Sequence, residues 1–328
     1  MKPKVYITRK LPSEAVEKIK QSCEVRMWDK EDVPVPRDVL EKEITEVDGL
    51  YCLLTESLDE ELLNKANNLK VISNMAVGYN NIDVEAATNK GIIVSNTPDV
   101  LTETTADITF ALLMATARRL VEASDYLREG KWKTWSPMQL TGQDIFGATI
   151  GIIGLGRIGK AMARRANGFG MNVLYYNRSQ KNETEKELGI TYTDKETLLK
   201  ESDYVVVLTP YSPETHNLIS GPELEMMKKS AILINTSRGG IVNEKALYKA
   251  LKENEIYAAG LDVFEEEPIS LNHPLLTLPN LVATPHIGSA SRKTRLKMAD
   301  MAADHLLQAL NKEKPDHIVN PKVFSEAL

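Results

Sequence analysis

Short apolar runs alternate with longer stretches of helical period along the whole chain. Residues 5–8 read as a buried strand, and 14–20, behind Leu11-Pro12-Ser13, as an amphipathic helix. The runs DGLYCLL (48–54), KVISNM (70–75) and GIIVS (91–95) follow as strands, with helical segments such as 59–66 between them. The longest apolar helix pattern covers 103–121, and residues 124–146 then break the rhythm with Gly, Pro, Trp and mixed polar side chains. A second series begins at Ala148 with the strand and turn ATIGIIGLG, a helix over 157–169 and the strand MNVLYY. Strands within 202–208, 231–236 and 257–263 and the run LVATPHIG continue it. One long helix, 291–311, closes the chain, its apolar face carried by Met298, Met301, Leu306, Leu307 and Leu310. Strand–helix alternation without tandem repeats predicts an α/β protein with two doubly wound parallel-sheet domains.

Composition narrows the partners. At roughly 150 residues per domain, 328 residues accommodate about two. With 42% hydrophobic and 26% charged residues the chain is an ordinary globular one, which excludes disordered and fibrous classes. Forty basic against 46 acidic side chains give a net charge of −6 with no basic block, which argues against nucleic acid and anionic membranes as partners. No apolar run reaches the about 18 residues of a membrane span. The amino terminus turns charged within ten residues and lacks a signal-peptide core, so the expected location is cytoplasmic. Cys23 and Cys52 make no disulfide framework, and there is no CxxC pair for metal or redox exchange. Histidines are scarce, at 216, 273, 286, 305 and 317, so imidazole acid–base chemistry has a short list of candidates.

Gly154-Leu155-Gly156-Arg157-Ile158-Gly159 follows an apolar strand and opens a helix. Gly154 allows the tight turn, Gly156 lets the backbone approach a pyrophosphate, and Gly159 lets helix and strand pack closely. Amides at the helix start would then hold the phosphates of a dinucleotide. A purely structural turn is the competing reading of GxGxxG alone; the strand before, the helix after and the second strand near 172–176 favour the cofactor. At the end of that second strand stand Asn177-Arg178-Ser179, with Lys181 beyond, where an NAD site carries Asp or Glu. With no carboxylate to repel a 2′-phosphate and a guanidinium to pair with it, NADPH is expected to be preferred, NADH remaining usable. The competing reading makes Arg178 a solvated loop residue. Among the histidines, His305 lies mid-helix, His317 in a charged tail, His273 in a loop turn and His216 in a solvated loop. His286 alone follows a buried strand and precedes Gly288, at the edge where ligands gather in open α/β sheets.

Seven segments, MAVGYNNID (75–83), TTADITFALLMATARR (104–119), GIIGLGRIG (151–159), SDYVVVLTPYSPETHNLI (202–219), ILINTSRGGIVNE (232–244), GLDVFEEEP (260–268) and TPHIGSAS (284–291), together resemble the D-isomer-specific 2-hydroxyacid dehydrogenase family. The likeness is to its glyoxylate/hydroxypyruvate reductase branch, 2-ketogluconate reductases included, and it runs through nearly the whole chain. It implies a flavodoxin-like substrate domain from residues 1–100 and 288–328, with a Rossmann nucleotide domain, 101–287, inserted between two linking helices.

The resemblance also implies roles. Glu267 pairs with His286 and stabilises its imidazolium, so that His286 protonates the substrate oxygen. Arg238, whose planar fork suits a 2-oxo carboxylate, orients the substrate. The loop at Val77 and Gly78 receives the carboxylate through backbone amides, although the residues alone read equally as an ordinary turn. Leu53 lines the same pocket. Trp135, in a dimerisation arm at about 124–146, reaches the partner's active site; an apolar core role within its own chain is the alternative. Asp262 contacts the nicotinamide end and Thr105 lies near its ring, while Leu208, Thr209, Pro210, Thr215, Thr236, Ser237 and Gly288 complete the cofactor's surroundings. Many family members carry His where this chain has Leu208, a departure that touches cofactor contacts and not reaction type.

The expected activity is therefore NADPH-preferring reduction of small 2-oxo acids, glyoxylate or hydroxypyruvate, to D-2-hydroxy acids by a homodimer. Reduction of 2-ketogluconate is the close alternative, and a dinucleotide-sensing co-repressor the remote one. Formate oxidation needs no proton relay, so a Glu–His pair argues against it. Domain closure would exclude water and protect the hydride.

Overall fold

The computed structural model describes residues 1–326 and divides into two compact units. The first holds Met1–Leu101 and Ala290–Leu328, the second Thr102–Ser289. Relative to the sequence-based boundaries the crossings lie one and two residues later, so Gly288 and Ser289 stand in the second unit instead of opening the last stretch of the first.

The amino-terminal part of the first unit runs β1 (Lys4–Ile7), α1 (Ser13–Ser22), β2 (Glu24–Met27), α2 (Arg37–Ile44), β3 (Gly49–Cys52), α3 (Glu60–Asn64), β4 (Val71–Asn74), α4 (Val84–Asn89) and β5 (Ile93–Ser95). The strands form one sheet in the order β2-β1-β3-β4-β5, every pair parallel. β3 and β4 are buried at every position, as strands covered on both faces must be. β2 alternates exposed and half-buried residues at the sheet edge, and so carries none of the apolar run by which its neighbours are read.

The second unit comprises α5 (Thr102–Ala117), α6 (Leu120–Arg128), β6 (Thr149–Ile153), α7 (Arg157–Gly168), β7 (Asn172–Tyr176), α8 (Asn182–Leu188), β8 (Thr191–Tyr192), α9 (Lys195–Glu201), β9 (Tyr204–Val207), α10 (Gly221–Met226), β10 (Ile232–Asn235), α11 (Glu244–Lys252), β11 (Ala258–Leu261) and β12 (Leu281–Ala283). Its sheet has the order β12-β11-β10-β9-β6-β7-β8, again all parallel, and reverses direction between β6 and β9. Ligands bind outside the carboxyl ends of strands at such a switch point. The single helix expected over 103–121 is two. Arg119 takes a left-handed backbone, φ 53°, and the Ala117 carbonyl at the end of α5 is satisfied by the Gln143 N–H at 2.9 Å. α6 also claims the first residues of the irregular segment.

The first unit is completed by α12 (Arg292–Leu310) and α13 (Lys322–Glu326). The buried stripe of α12 is not the large-residue face expected from the sequence. Met298, Ala299, Ala302, Ala303, His305, Leu306 and Ala309 face inward, whereas Met301, Leu307 and Leu310 are only half-buried. Small alanines let the helix approach its sheet closely enough for Tyr51 Oη to donate to the Ala299 carbonyl at 3.1 Å. Ser73 Oγ donates to that of Ala302 at 2.7 Å. Buried hydroxyls need such partners, and here they sew helix to sheet.

Between β6 and α7 the backbone of Gly159 lies so close that a β-carbon there would stand 2.3 Å from the Gly154 carbonyl oxygen. A Gly159→Val variant is therefore expected to lose about 1–3 kcal/mol of stability, the usual cost of overpacking. Urea unfolding measures this, and an unchanged midpoint would contradict the packing described.

Candidate active site

The turn after β6 shows each glycine at its own task. Gly154 has φ +102°, donates its N–H to the Tyr176 carbonyl at 2.9 Å, and lies where a β-carbon would come within 2.8 Å of Leu208. Around Gly156 a β-carbon would meet nothing within 4 Å, so the backbone there is open to a ligand. Beyond it α7 begins with Arg157, Ile158 and Gly159, the first turn of a helix, whose N–H groups point out of the helix start.

Neighbouring strand ends add to this edge. After β7, the Asn177 side chain donates to the Ser179 carbonyl at 3.1 Å and the Lys181 N–H to Tyr175 Oη at 2.8 Å, with Arg178, Ser179 and Lys181 exposed. The field of Arg178 reaches Glu214, whose carboxyl is held below its ordinary value first by the Ser212 hydroxyl and further by that guanidinium. After β9, Leu208 is half-buried and the buried Thr209 hydroxyl has no partner among the described residues. Thr215 Oγ1 donates to the Pro210 carbonyl at 2.8 Å and accepts from the Ser212 N–H at 2.7 Å, closing the turn. After β10, Thr236 Oγ1 shares a 2.6 Å hydrogen bond with Thr109 Oγ1, one turn beyond the buried Thr105.

Asn235, which the sequence reading passed over, organises the next turn. Its Oδ1 accepts from the Ser237 amide at 3.1 Å and hydroxyl at 2.7 Å, and its Nδ2 donates to the Arg238 carbonyl at 3.0 Å. Arg238 Nη1 donates to the Ser237 carbonyl at 2.8 Å. Burial lowers the affinity of Arg238 for its proton and the charge of Glu267 opposes that effect. The two come near each other because residue 239 is glycine: a β-carbon there would stand 1.7 Å from the Phe264 carbonyl oxygen.

Asp262, fully buried after β11, binds Thr284 Oγ1 at 2.6 Å and the Ile287 amide at 2.8 Å through Oδ1. Its Oδ2 is buried with no partner among the described residues, and a β-carbon at Gly288 would approach that oxygen to 3.3 Å. Burial pushes its carboxyl above the ordinary value. An orphaned buried acceptor, an open glycine turn and a helix start on one sheet edge fit a dinucleotide.

Glu267 and His286 form the expected pair, with Oε2 and Nδ1 2.6 Å apart and side chains 29% and 24% exposed. Glu267 Oε1 accepts from the Phe264 amide at 3.0 Å. Burial would raise the Glu267 carboxyl, but the His286 hydrogen bond and charge, the Phe264 amide and Arg238 together hold it below its ordinary value. His286 has φ +51°, uncommon for a residue with a side chain, fixed by its amide donating to the Asp262 carbonyl at 3.0 Å. With Nδ1 on the carboxylate, Nε2 is the ring atom left for a substrate.

The other histidines do other things. His305 and His317 have ring centroids 5.4 Å apart in the first unit, and His216 lies against Tyr211 at 5.9 Å. His273, read from sequence as a loop turn, stands 3.2 Å from Glu244, a pair that sequence reasoning missed. Glu265, itself exposed, accepts the Glu244 amide at 3.2 Å through Oε1. Among the described residues no cluster could hold a metal ion, and no helix is long and apolar enough to cross a membrane.

In the first unit, Leu53 follows β3, and its N–H and carbonyl are held by Glu56 at 2.8 Å and Asn81 at 3.1 Å. The Val77 and Gly78 carbonyls accept from Asn96 at 2.8 Å and Asn74 at 3.0 Å. Their amides have no acceptor among the described residues, the state an anion-receiving turn requires. Trp135 is 75% exposed; Trp132, Met138 and Phe146 of the same segment are exposed with it.

Comparison with known proteins follows the same lines. Residues 110–288 match the family model described as D-isomer specific 2-hydroxyacid dehydrogenase, NAD binding domain. A glyoxylate reductase of Korarchaeum cryptofilum is 51% identical over 98% of this chain and 97% of its own. A Thermus thermophilus crystal structure superposes with a TM-score of 0.90 at 44% identity, covering 96% of this chain and 99% of that one. An NADPH-dependent glyoxylate/hydroxypyruvate reductase of Sinorhizobium meliloti, solved with NADP and malonate, gives a TM-score of 0.84 at 32% identity over 97% of each chain. The chain belongs to the D-isomer-specific 2-hydroxyacid dehydrogenase family, within the branch whose curated members are named glyoxylate reductases, and is an NAD(P)H-dependent dehydrogenase.

Proposed function

We propose that this enzyme reduces small 2-oxo acids, glyoxylate and hydroxypyruvate foremost, to D-2-hydroxy acids, with NADPH preferred over NADH. The observation that carries the reading is the 2.6 Å contact between Glu267 and His286 Nδ1, which leaves Nε2 for a carbonyl oxygen. A bound nicotinamide cofactor supplies the hydride for C2 of the substrate. His286 Nε2 gives its proton to the carbonyl oxygen as that oxygen gains charge, and the Glu267 carboxylate stabilises the imidazolium before transfer. Arg238 offers its fork to the substrate's carboxylate and carbonyl. In the first unit, Leu53 and the Val77 and Gly78 amides take the part of carboxylate recognition.

The amides at 157–159 and the open Gly156 would hold the pyrophosphate, and Asp262 Oδ2 would accept from the carboxamide end. Thr105, Leu208, Thr209, Pro210, Thr215, Thr236, Ser237 and Gly288 would surround the rest. Asn177, Arg178, Ser179 and Lys181 would face the adenosine ribose, where a 2′-phosphate finds a guanidinium and no carboxylate in those positions. The NADPH dependence of the Sinorhizobium relative supports this preference. Exposed Trp132, Trp135, Met138 and Phe146 favour a homodimer, since a patch of that character on a lone chain is costly. 2-Ketogluconate is the alternative substrate of the same machinery.

Four outcomes are expected. In an assay of glyoxylate, hydroxypyruvate, pyruvate and 2-ketogluconate, kcat/KM is highest for one of the first two and higher with NADPH than NADH; comparable or better NADH values sink the cofactor preference. His286→Ala lowers kcat by about 10²–10⁴-fold with cofactor affinity barely changed, and an unaltered kcat removes His286 from the mechanism. Sedimentation should show a dimer that Trp135→Ser with Phe146→Ser weakens. Finally, a carboxyl held below its ordinary value contributes stability above the unfolded glutamate pKa of about 4.3. That contribution is lost as pH falls through the lowered value. Melting curves should show wild type losing its advantage over Glu267→Gln only below about pH 4.

A further inference from the structure

Six residues beyond Arg238 the chain enters α11, whose first residue is Glu244. A first-turn carboxylate ordinarily faces water. This one is 7% exposed and spends both oxygens on the loop that carries Glu267 and on what flanks it. Its Oε1 accepts the Glu265 amide at 2.7 Å, and its own amide donates back to Glu265 Oε1 at 3.2 Å. Its Oε2 stands 3.2 Å from His273 Nε2. His273 Nδ1 accepts from the Leu275 amide at 3.4 Å, so in the neutral ring Nε2 carries the proton and donates it to Glu244.

The segment 264–267 thus has its first two amides taken by two carboxylates. Phe264 gives its N–H to Glu267 itself, and Glu265 gives its N–H to Glu244. The same segment abuts Gly239, next to Arg238. We propose that Glu244, backed by His273, is a positioning residue for the reaction: by anchoring Glu265 it sets the loop so that Glu267 meets His286. This rests on the acid–base reading of Glu267 and His286 given above. Burial pushes the Glu244 carboxyl above its ordinary value; the charges of Glu265 and Glu267 add to that, while the Glu265 amide and His273 pull the other way. Glu244 is therefore close enough to Glu267 to feel its charge.

The test compares Glu244→Ala, Glu244→Gln, Glu244→Asp and His273→Ala in the full-length enzyme, with glyoxylate and NADPH. Measured are kcat, KM for glyoxylate, Kd for NADPH by fluorescence, and the melting temperature. Glutamine keeps a carbonyl acceptor for the Glu265 amide and is expected to hold kcat within about threefold of wild type, while alanine loses about ten- to a hundredfold in kcat. For both, KM and Kd should move less than about threefold, since the cofactor and substrate contacts are elsewhere. His273→Ala should fall between them. If the alanine variant does not fold, Glu244→Asp, one methylene short of Glu265, serves in its place with about a tenfold loss of kcat at unchanged KM. Wild-type kcat in the alanine and aspartate variants overturns the inference. So does an equal loss in alanine and glutamine, or a loss of kcat matched by loss of NADPH binding. His286→Ala and Glu267→Gln run alongside: if they too retain kcat, the acid–base reading itself fails, whereas if they alone are inactive, only the role of Glu244 does.

Discussion

All seven strands of the second sheet run the same way, and the functional geometry of that unit depends on this. A parallel ladder brings every carboxyl end to one edge, so residues distant in sequence become neighbours without any loop reaching far. The glycine turn follows β6, Asn177 to Lys181 β7, Leu208 to Pro210 β9, Arg238 β10, Asp262 β11 and His286 β12. The first unit obeys the same rule by itself: Leu53 follows β3, and Val77 and Gly78 follow β4. Continuous burial of strands such as YVVV and ILIN leaves no freedom of register, because each face is already committed to a core.

On that edge, fine geometry comes from backbone approach and from exchanged hydrogen bonds more than from ion pairing. Gly239 brings the Arg238 turn against Phe264. Asn235 closes that turn, Asp262 accepts from the Thr284 hydroxyl and the Ile287 amide, and Glu244 ties Glu265. With these in place the Glu267 carboxylate meets His286 Nδ1. A buried carboxylate is tolerated at Asp262 because one oxygen has two donors, while the other keeps its capacity for a ligand.

The parts legible in sequence were those with a strong local signature. Apolar runs of four or five residues identified the central strands, and the strand–turn–helix context gave GxGxxG its meaning. His286 stood out because of where its strand ends. What stayed hidden depends on neighbours remote in sequence. β2 is an edge strand of alternating polarity, and the stripe of α12 is built from alanines that score as neutral yet pack deepest. The break at Arg119 requires the Gln143 amide, 26 positions from α5's last-turn neighbour Ala117. Glu244 and His273 look like a helix-start acid and a loop histidine until the fold closes them on each other. The one local hint was a carboxylate directly behind the Asn243 cap, six residues past Arg238.

The turn at Val77 and Gly78 has a consequence of its own. Its carbonyls are held by the carboxamides of Asn96 and Asn74, and its free amides are peptide groups. None of these ionises in water, so any hold the turn has on an anion is one of neutral dipoles, indifferent to acidity. The titratable groups around the Glu267–His286 pair lie elsewhere, in the stretch from Glu244 to His286, where Glu244, Glu265 and His273 stand with them. The neutral turn and the titratable cluster thus rest on different chemistry, and substitution can alter one while the other keeps its setting.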